Sequence, residues 1–545
     1  MRMTKEVKTK RTDEKLKKET NFMGGVSYGL SPIETMKMVT ASSIFGEPQY
    51  YRDGRFAEKT ISDGIYNVNS LFESYSVLDP KFNGKDTGTI MEMVISDALD
   101  ADFEATIRWA ETLRHEYNMR LNPQVIMVLA AMHPKRVEFN KTHPGVFSQI
   151  NQRVMSRADE PAVQFTYYLY KKGKKNQLPG ILKRNWAGKI GSLGAYQMNK
   201  YKNSAVGMID TIRVCHAKGT LVDELMRTGS IKVEDDQATW ETLRSAGKSW
   251  KEISEQIKIP TMALLRNLRG MFTEIDDLDF CKKVMEQLKR GVPYGKQFPF
   301  RYWSAYKAIE NSGVHHKPVI LDALEECIDL SCENMPKLKG KTMVLSDNSG
   351  SAWGAFTSEY GTVTIAEIDN LSAVIAARNS EEGYAGKFGD KLKVYPVSKR
   401  NGVLSQTKEI TSHRSNDVGG ATENGIWIFF RDAIENNEWW DNIFIYSDMQ
   451  AGHAGLYGTG SGMVEYTKAG YNYGRYVDVA KLLAEYRRKV NPKVNFFSIQ
   501  TAGYTNVVVP EYGYRTNIMY GWTSKELLFA DTMIKFWDQK DQHKR

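Results

Sequence analysis

Past residue 340 the chain alternates short apolar runs with amphipathic stretches, and two of those runs lead into a carboxylate. Met343-Val344-Leu345 leads into Asp347-Asn348-Ser349-Gly350-Ser351, and Ile443-Phe444-Ile445-Tyr446 leads into Asp448. Short runs of continuous apolar residues bounded by polar turns fit strands buried on both faces. The pattern predicts strands at 342–346, 392–397, 442–447, 494–499 and 517–520, and helices at 365–378, 422–434, 477–489 and 525–537. Thr523-Ser524-Lys525-Glu526 is a capping box for the last helix. Strand alternating with helix implies a mainly parallel, doubly wound sheet, and such sheets bind ligands beyond the carboxyl ends of their strands. Asp347 and Asp448 fall there.

Between the two carboxylates lies a third polar loop, Gly419-Gly420-Ala421-Thr422. Mg²⁺ takes octahedral oxygen coordination and retains waters. The hydroxyls of Ser349, Ser351 and Thr422 add ligands without charge, while Asp347 and Asp448 balance the ion. A coordination position left open would accept an acidic group from a partner. The blander alternative is that Asp347 and Ser351 form a polar turn that caps the next helix. The ordered set D-x-S-x-S, Gly-Gly-x-Thr and Ser-Asp resembles the metal-ion-dependent adhesion site of von Willebrand factor A domains. That resemblance implies that Asp347, Ser349, Ser351, Thr422 and Asp448 hold Mg²⁺. Ala421 is a departure from the family's uninterrupted Gly-Gly-Thr.

At 545 residues the chain is too long for one core. Residues 1–22 are dominated by Lys, Arg, Glu and Thr, a composition that buries too little to order itself. From about 66 to 335 the pattern is helix after helix. Asn122-Pro123 reads as an N-cap followed by a proline at the first helical position, Ser249-Trp250-Lys251-Glu252 as a capping box, and Pro260-Thr261 as a further helix start. So many helices exceed one bundle, and an irregular α-solenoid of antiparallel pairs fits better. The pattern changes at Pro336-Lys337-Leu338-Lys339-Gly340-Lys341.

Within the helical part, residues 161–209 contain no Asp or Glu. Lys171, Lys172, Lys174, Lys175, Lys183, Arg184, Lys189, Lys200 and Lys202 crowd this stretch, with Trp186, Tyr196 and Tyr201 between them, and Arg213 and His216 follow. Cations attract phosphates and aromatic planes stack on unpaired bases, a mix that suits single strands and structured RNA. A solvated lysine face with Trp186 and Tyr201 in the core is the alternative. The net charge of +9 points the same way, weakly.

Leu178 to Trp186, Met198-Asn199-Lys200-Tyr201-Lys202 and Ile209 to His216 resemble the central block of the TROVE module of Ro autoantigen proteins. Pro260-Thr261-Met262-Ala263-Leu264-Leu265-Arg266-Asn267-Leu268-Arg269-Gly270-Met271 is similar to that module's most distinctive run. Helical module followed by an A domain is also the Ro order. The family's proline shortly after the histidine is replaced here by Ala217-Lys218-Gly219. The resemblance divides the chain into a tail at 1–22, a TROVE-like module at 23–338 and an A-like domain at 339–545. It implies a monomeric ring of HEAT-like helical repeats followed by a doubly wound, Rossmann-like A domain that closes it. The ring would bind small structured Y-like RNA and the single-stranded ends of misfolded non-coding RNA, through Lys183, Arg184, Lys200, Arg213 and His216 among others. A nuclease or other protein could dock at the metal site. The competing reading is a protein-interaction adaptor that captures an acidic side chain through Mg²⁺.

No H-E-x-x-H, P-loop or G-x-S-x-G frame is present, so the expectation is a non-enzymatic protein. Cys215, Cys281, Cys327 and Cys332 form no C-x-x-C pair and read as reduced thiols of a cytoplasmic protein. No apolar stretch reaches the length of a membrane span.

Overall fold

The computed structural model describes residues 17–20, 26–29, 31–42, 87–116, 119–173, 177–201, 207–231, 239–295, 297, 299–354, 364–420, 423–447, 467–469, 475–477, 479–501, 506–509, 515–520 and 526–542. Its strands in chain order are β1 Lys17–Thr20, β2 Val26–Gly29, β3 Leu338–Asp347, β4 Ser380–Phe388, β5 Leu392–Pro396, β6 Asn442–Ser447, β7 Thr467–Ala469, β8 Arg475–Val477, β9 Asn495–Gln500, β10 Asn506–Val507 and β11 Thr516–Tyr520.

Six of these form one sheet in the order β11-β9-β6-β3-β4-β5. All neighbours are parallel except the edge strand β5, which runs antiparallel to β4. The first strand, β3, therefore lies between β4 and β6, and the chain reverses its direction of growth there. Side chains alternate between two cores with the period of two that a strand dictates. Met343, Leu345, Ile443 and Ile445 pack in one core, and Val344, Phe444 and Tyr446 in the other. Every residue of β6 is buried, as a strand covered on both faces requires.

β4 is the strand that the apolar pattern missed. Its sequence, Ser-Glu-Glu-Gly-Tyr-Ala-Gly-Lys-Phe, has glycines where a buried strand normally has branched residues. Close packing explains one of them. A Cβ on Gly383 would lie 1.9 Å from the carbonyl oxygen of Ala377, so the helix Ile365–Arg378 can press on β4 only over a glycine.

The helical part packs element on neighbouring element. Phe103–His115 lies against Leu121–Met132, Gly180–Gly191 against Met208–Cys215, Thr261–Glu274 against Leu278–Gly295, and Pro299–Glu310 against Lys317–Cys332. The capping box at Ser249 forms as the sequence predicts: Ser249 Oγ accepts the Glu252 N–H at 3.3 Å, and Glu252 returns the bond to the Ser249 N–H at 2.7 Å. Asn122 does not cap. The helix already begins at Leu121, and Asn122 is buried with its amide donating to the carbonyl of Thr40 at 2.7 Å. A tertiary partner on the helix Pro32–Ser42 has won over the local cap.

Both ends of the helical part rest on the sheet unit. At the start, the helix Pro32–Ser42 packs on β11, and β2 pairs antiparallel with β10 through Gly29↔Asn506 and Tyr28↔Val507. At the end, Asp329 accepts the Val403 N–H at 2.9 Å and pairs with Arg378 at 3.6 Å. The last residues of the Lys-rich tail, 17–20, form β1 because β2 offers them a partner edge. Local composition carries no record of such a long-range template.

Candidate metal loops and nucleic-acid interface

Asp347 ends β3 at the point where the strand order reverses, and it is fully buried. One carboxylate oxygen accepts the Ser349 N–H at 2.9 Å, and the other accepts the Ser447 hydroxyl at 2.5 Å. The first bond is the polar turn of the blander reading. The second crosses to the carboxyl end of β6 and ties together the two strand ends flanking the reversal. Ser349 Oγ and Ser351 Oγ lie 3.1 Å apart. Adjacent ligands of an octahedral Mg²⁺ are separated by about 3 Å. The two hydroxyls are within hydrogen-bond distance of each other, a separation that neighbouring ligands of such an ion would also have. Thr422 and Asp448 lie outside the described residues. Among the described residues there is no cluster of three or more His, Cys, Asp or Glu suited to a metal.

The loop is braced from three sides. The Asn348 N–H donates to the Phe388 carbonyl at 2.9 Å. The side chains of Asn348 and Asn370 exchange hydrogen bonds at 2.8 and 3.0 Å, and the Ser346 hydroxyl donates to Asn370 at 2.6 Å. The Gly350 N–H donates to the Gly420 carbonyl at 2.8 Å, which joins the first polar loop to the second. Gly419 has φ +83, and a Cβ there would lie 2.0 Å from Asp390 Oδ2, so the turn needs glycine twice over. Beneath the second loop, Lys387 is fully buried and pairs with Asp417 at 2.7 Å. Burial pulls the Lys387 ammonium below its ordinary value. Burial alone would raise Asp417, but the Lys387 ammonium outweighs it and holds the carboxyl below its ordinary value.

The basic stretch resolves into three kinds of residue. Trp186 is fully buried and donates its indole N–H to Gln164 at 2.8 Å, so it is core, not a stacking platform. Lys171, Lys200 and Arg213 are partly neutralised. Lys171 pairs with Glu92, Lys200 with Glu241 at 3.0 Å while lying 5.9 Å from the Tyr196 ring, and Arg213 with Asp210 at 3.9 Å. Acids distant in sequence, Glu92 and Glu241, supply what the 161–209 stretch lacks. The third kind carries no ion pair among the described residues: exposed Lys172, half-exposed Lys183 and exposed Arg184. Lys174, Lys175 and Lys202 lie outside the described residues.

Lys183 and Arg184 sit on the helix Gly180–Gly191, which packs on Met208–Cys215. Lys183 is close enough to Cys215 to act electrostatically on its thiol. His216 follows at the C-cap in the left-handed region, φ 56, with its backbone N–H on the Ile212 carbonyl at 2.8 Å and its ring exposed. Lys183, Arg184, Arg213 and His216 are thus brought onto one pair of packed helices. Reasoning from sequence missed Arg157, whose guanidinium donates to the Tyr201 hydroxyl at 2.9 Å. It also missed Ser447 as the partner of Asp347, although Ser447 stands directly before Asp448.

Residues 223–319 match the family model of the TROVE domain. The structure is similar to the crystal structure of the Deinococcus radiodurans RO (RSR) protein, with a TM-score of 0.52 and 14% identity over 91% of this chain and 99% of that chain. The fold is Ro-like. No curated protein matches the chain in sequence. The TROVE match contains the run from Pro260 to Met271 and excludes the block from Leu178 to His216. The four cysteines are free and buried, and burial pushes the thiols of Cys327 and Cys332 up to about 12. No helix among the described residues is long and apolar enough to cross a membrane.

Proposed function

We propose that the protein is a non-enzymatic, cytoplasmic RNA-binding scaffold of the Ro kind. It acts in RNA quality control on small structured, Y-like RNA and on the single-stranded ends of misfolded RNA. The observation that carries this reading is the pair of helices Gly180–Gly191 and Met208–Cys215, which present Lys183, Arg184 and His216 unpaired beside Arg213. Exposed cations without acidic partners are free to exchange counterions for phosphates. Closure of the helical array into a monomeric ring is supported by the contacts at both of its ends with the sheet unit. The sheet unit acts as a von Willebrand A domain. There Asp347, Ser349 and Ser351, with Thr422 and Asp448, hold Mg²⁺, which would supply an electrophilic centre for an acidic side chain of a protein such as a nuclease.

The test is purification from native cells with sequencing of the co-purifying RNA, comparing wild type with His216→Ala. A discrete small RNA enriched with the wild type and depleted in the variant supports the reading. The adaptor reading draws on the 3.1 Å spacing of the Ser349 and Ser351 hydroxyls. It gains if no RNA is enriched and a protein partner is released by chelation.

A further inference from the structure

On the second core, away from the helices Gly180–Gly191 and Met208–Cys215, a groove of about 1020 Å³ runs between the segment 258–261 and the C-terminal half of the helix Leu278–Gly295. A Cβ on Gly291 would lie 2.1 Å from Thr261 Oγ1, so only glycine lets the start of the helix Thr261–Glu274 approach this closely. Gln287 donates to the Ile259 carbonyl at 2.8 Å and fixes the opposite wall. The charges on the lining alternate along the helix. Lys283, Glu286 and Arg290 follow one another at the spacing that puts side chains on one face. Glu286 accepts from Arg290 at 3.0 Å and pairs with Lys289 at 3.3 Å. Lys258, on the facing segment, and Lys283 are exposed and make no ion pair among the described residues. Pro260, Pro293 and Tyr294 give the lining an apolar ledge. Tyr294 is 85% exposed, more than any other large hydrophobic residue among those described.

We infer that this groove is a docking site for an extended acidic segment of a partner protein, with two carboxylates and then an apolar side chain that covers Tyr294. The spacing carries the choice. Lys283 and Arg290 lie about 10 Å apart along the helix axis, and about three residues of extended chain span the same distance. One carboxylate meets Lys283, with Lys258 across the groove, and the other meets Arg290, while Glu286 keeps Lys289. Tyr294 lies about 6 Å further along the axis, or about two residues of extended chain. The Glu286 carboxylate between the two cations decides against a polynucleotide. A nucleic-acid strand brings a negative charge at every residue and sets one against Glu286, whereas a peptide places uncharged residues there. Tyrosine and arginine are among the residue types on which protein interfaces concentrate their binding energy, and complementary charge steers the approach. The groove depends neither on the RNA reading nor on the metal loops.

The experiment is fluorescence anisotropy on the full chain with labelled peptides of the pattern Glu-x-x-Glu-x-Z, where x is alanine or serine and Z is leucine, phenylalanine or tryptophan. The same peptides with glutamine for glutamate are the charge controls, and an unlabelled single-stranded oligoribonucleotide is the competitor. At least one glutamate peptide binds, and its affinity falls as salt rises. Tyr294→Ala weakens that peptide by roughly fivefold or more. Lys258→Ala with Lys283→Ala weakens it roughly fivefold and changes the glutamine peptide by less than about twofold. The oligoribonucleotide does not displace it. Failure of every glutamate peptide to bind overturns the inference, as does an affinity that neither substitution changes. Displacement of the peptide by the oligoribonucleotide gives the groove to nucleic acid and overturns it too.

Discussion

The carboxyl edge of the sheet and the Lys183 block both hold polar residues in a stretch of unusual sequence, yet they are built on opposite physical terms. At the sheet edge the polar groups are largely buried and partnered: Asp347 with Ser349 and Ser447, Asn348 with Asn370, and Lys387 in an ion pair with Asp417. On the helices the cations stand in water, and several carry no partner. A buried network fixes ligands to within fractions of an ångström and loses heavily when one member is removed. An exposed cationic face tolerates loss of a member and adapts to a flexible partner, and its strength falls with salt. The first arrangement suits one small ion, the second a polyanion.

The largest effect belongs to the sheet edge. Asp347→Ala strips the acceptor from two buried donors, which costs about 2–4 kcal/mol. It also abolishes any rise of the melting temperature with Mg²⁺, while hairpin RNA affinity stays at the wild-type value. Thermal melts with and without Mg²⁺, beside anisotropy, check both parts. RNA affinity falling at an intact fold would merge the two regions into one site.

The next effect is that of the pair beneath the second loop. Asp417→Ala leaves the Lys387 ammonium buried without a partner and costs about 3 kcal/mol. The same pair makes stability depend on acid. Asp417 titrates below its ordinary value in the folded state, so the unfolded chain takes up the proton first as pH falls. The contribution is complete above the usual carboxylate range and disappears as pH drops through the folded value. Urea midpoints between pH 6 and pH 3 should therefore fall less in Asp417→Asn than in the wild type.

Smaller changes are expected on the helices. Lys183→Ala with Arg184→Ala lowers RNA affinity roughly tenfold at moderate salt and flattens the slope of log affinity against log salt by about 1.4–1.8, two phosphates' worth. Lys200→Ala changes affinity by less than about twofold, because its charge is already committed to Glu241 and the exposed pair is worth little. A large loss at Lys200 would mean that Glu241 gives way to phosphate.

Much of this contrast was legible before any coordinates. The strands 442–447 and 517–520 and the helix 365–378 follow directly from apolar period and length. The ordered loops pointed to Asp347, Ser349 and Ser351, and these meet at the strand reversal. What failed did so for long-range reasons. β4 was hidden by glycines whose purpose is contact with another element, and Asn122 was taken from its cap by Thr40. Trp186, which stood among lysines in sequence, points inward to Gln164. The acid-free run from 161 to 209 overstated the free charge, since Glu92 and Glu241 reach it through space. Sequence spacing reports local chemistry well, whereas which cations remain unpaired is decided by the fold.

The central claim is that RNA is held by the unpaired cations of the helices, independently of the metal loops. The most direct measurement is hairpin RNA affinity as a function of salt for four proteins: wild type, Lys183→Ala with Arg184→Ala, Asp347→Ala, and the combination. The account predicts a lower affinity and a shallower slope for the first variant. It predicts wild-type behaviour for Asp347→Ala, and a combination equal to the first variant. An unchanged slope in Lys183→Ala with Arg184→Ala would contradict it.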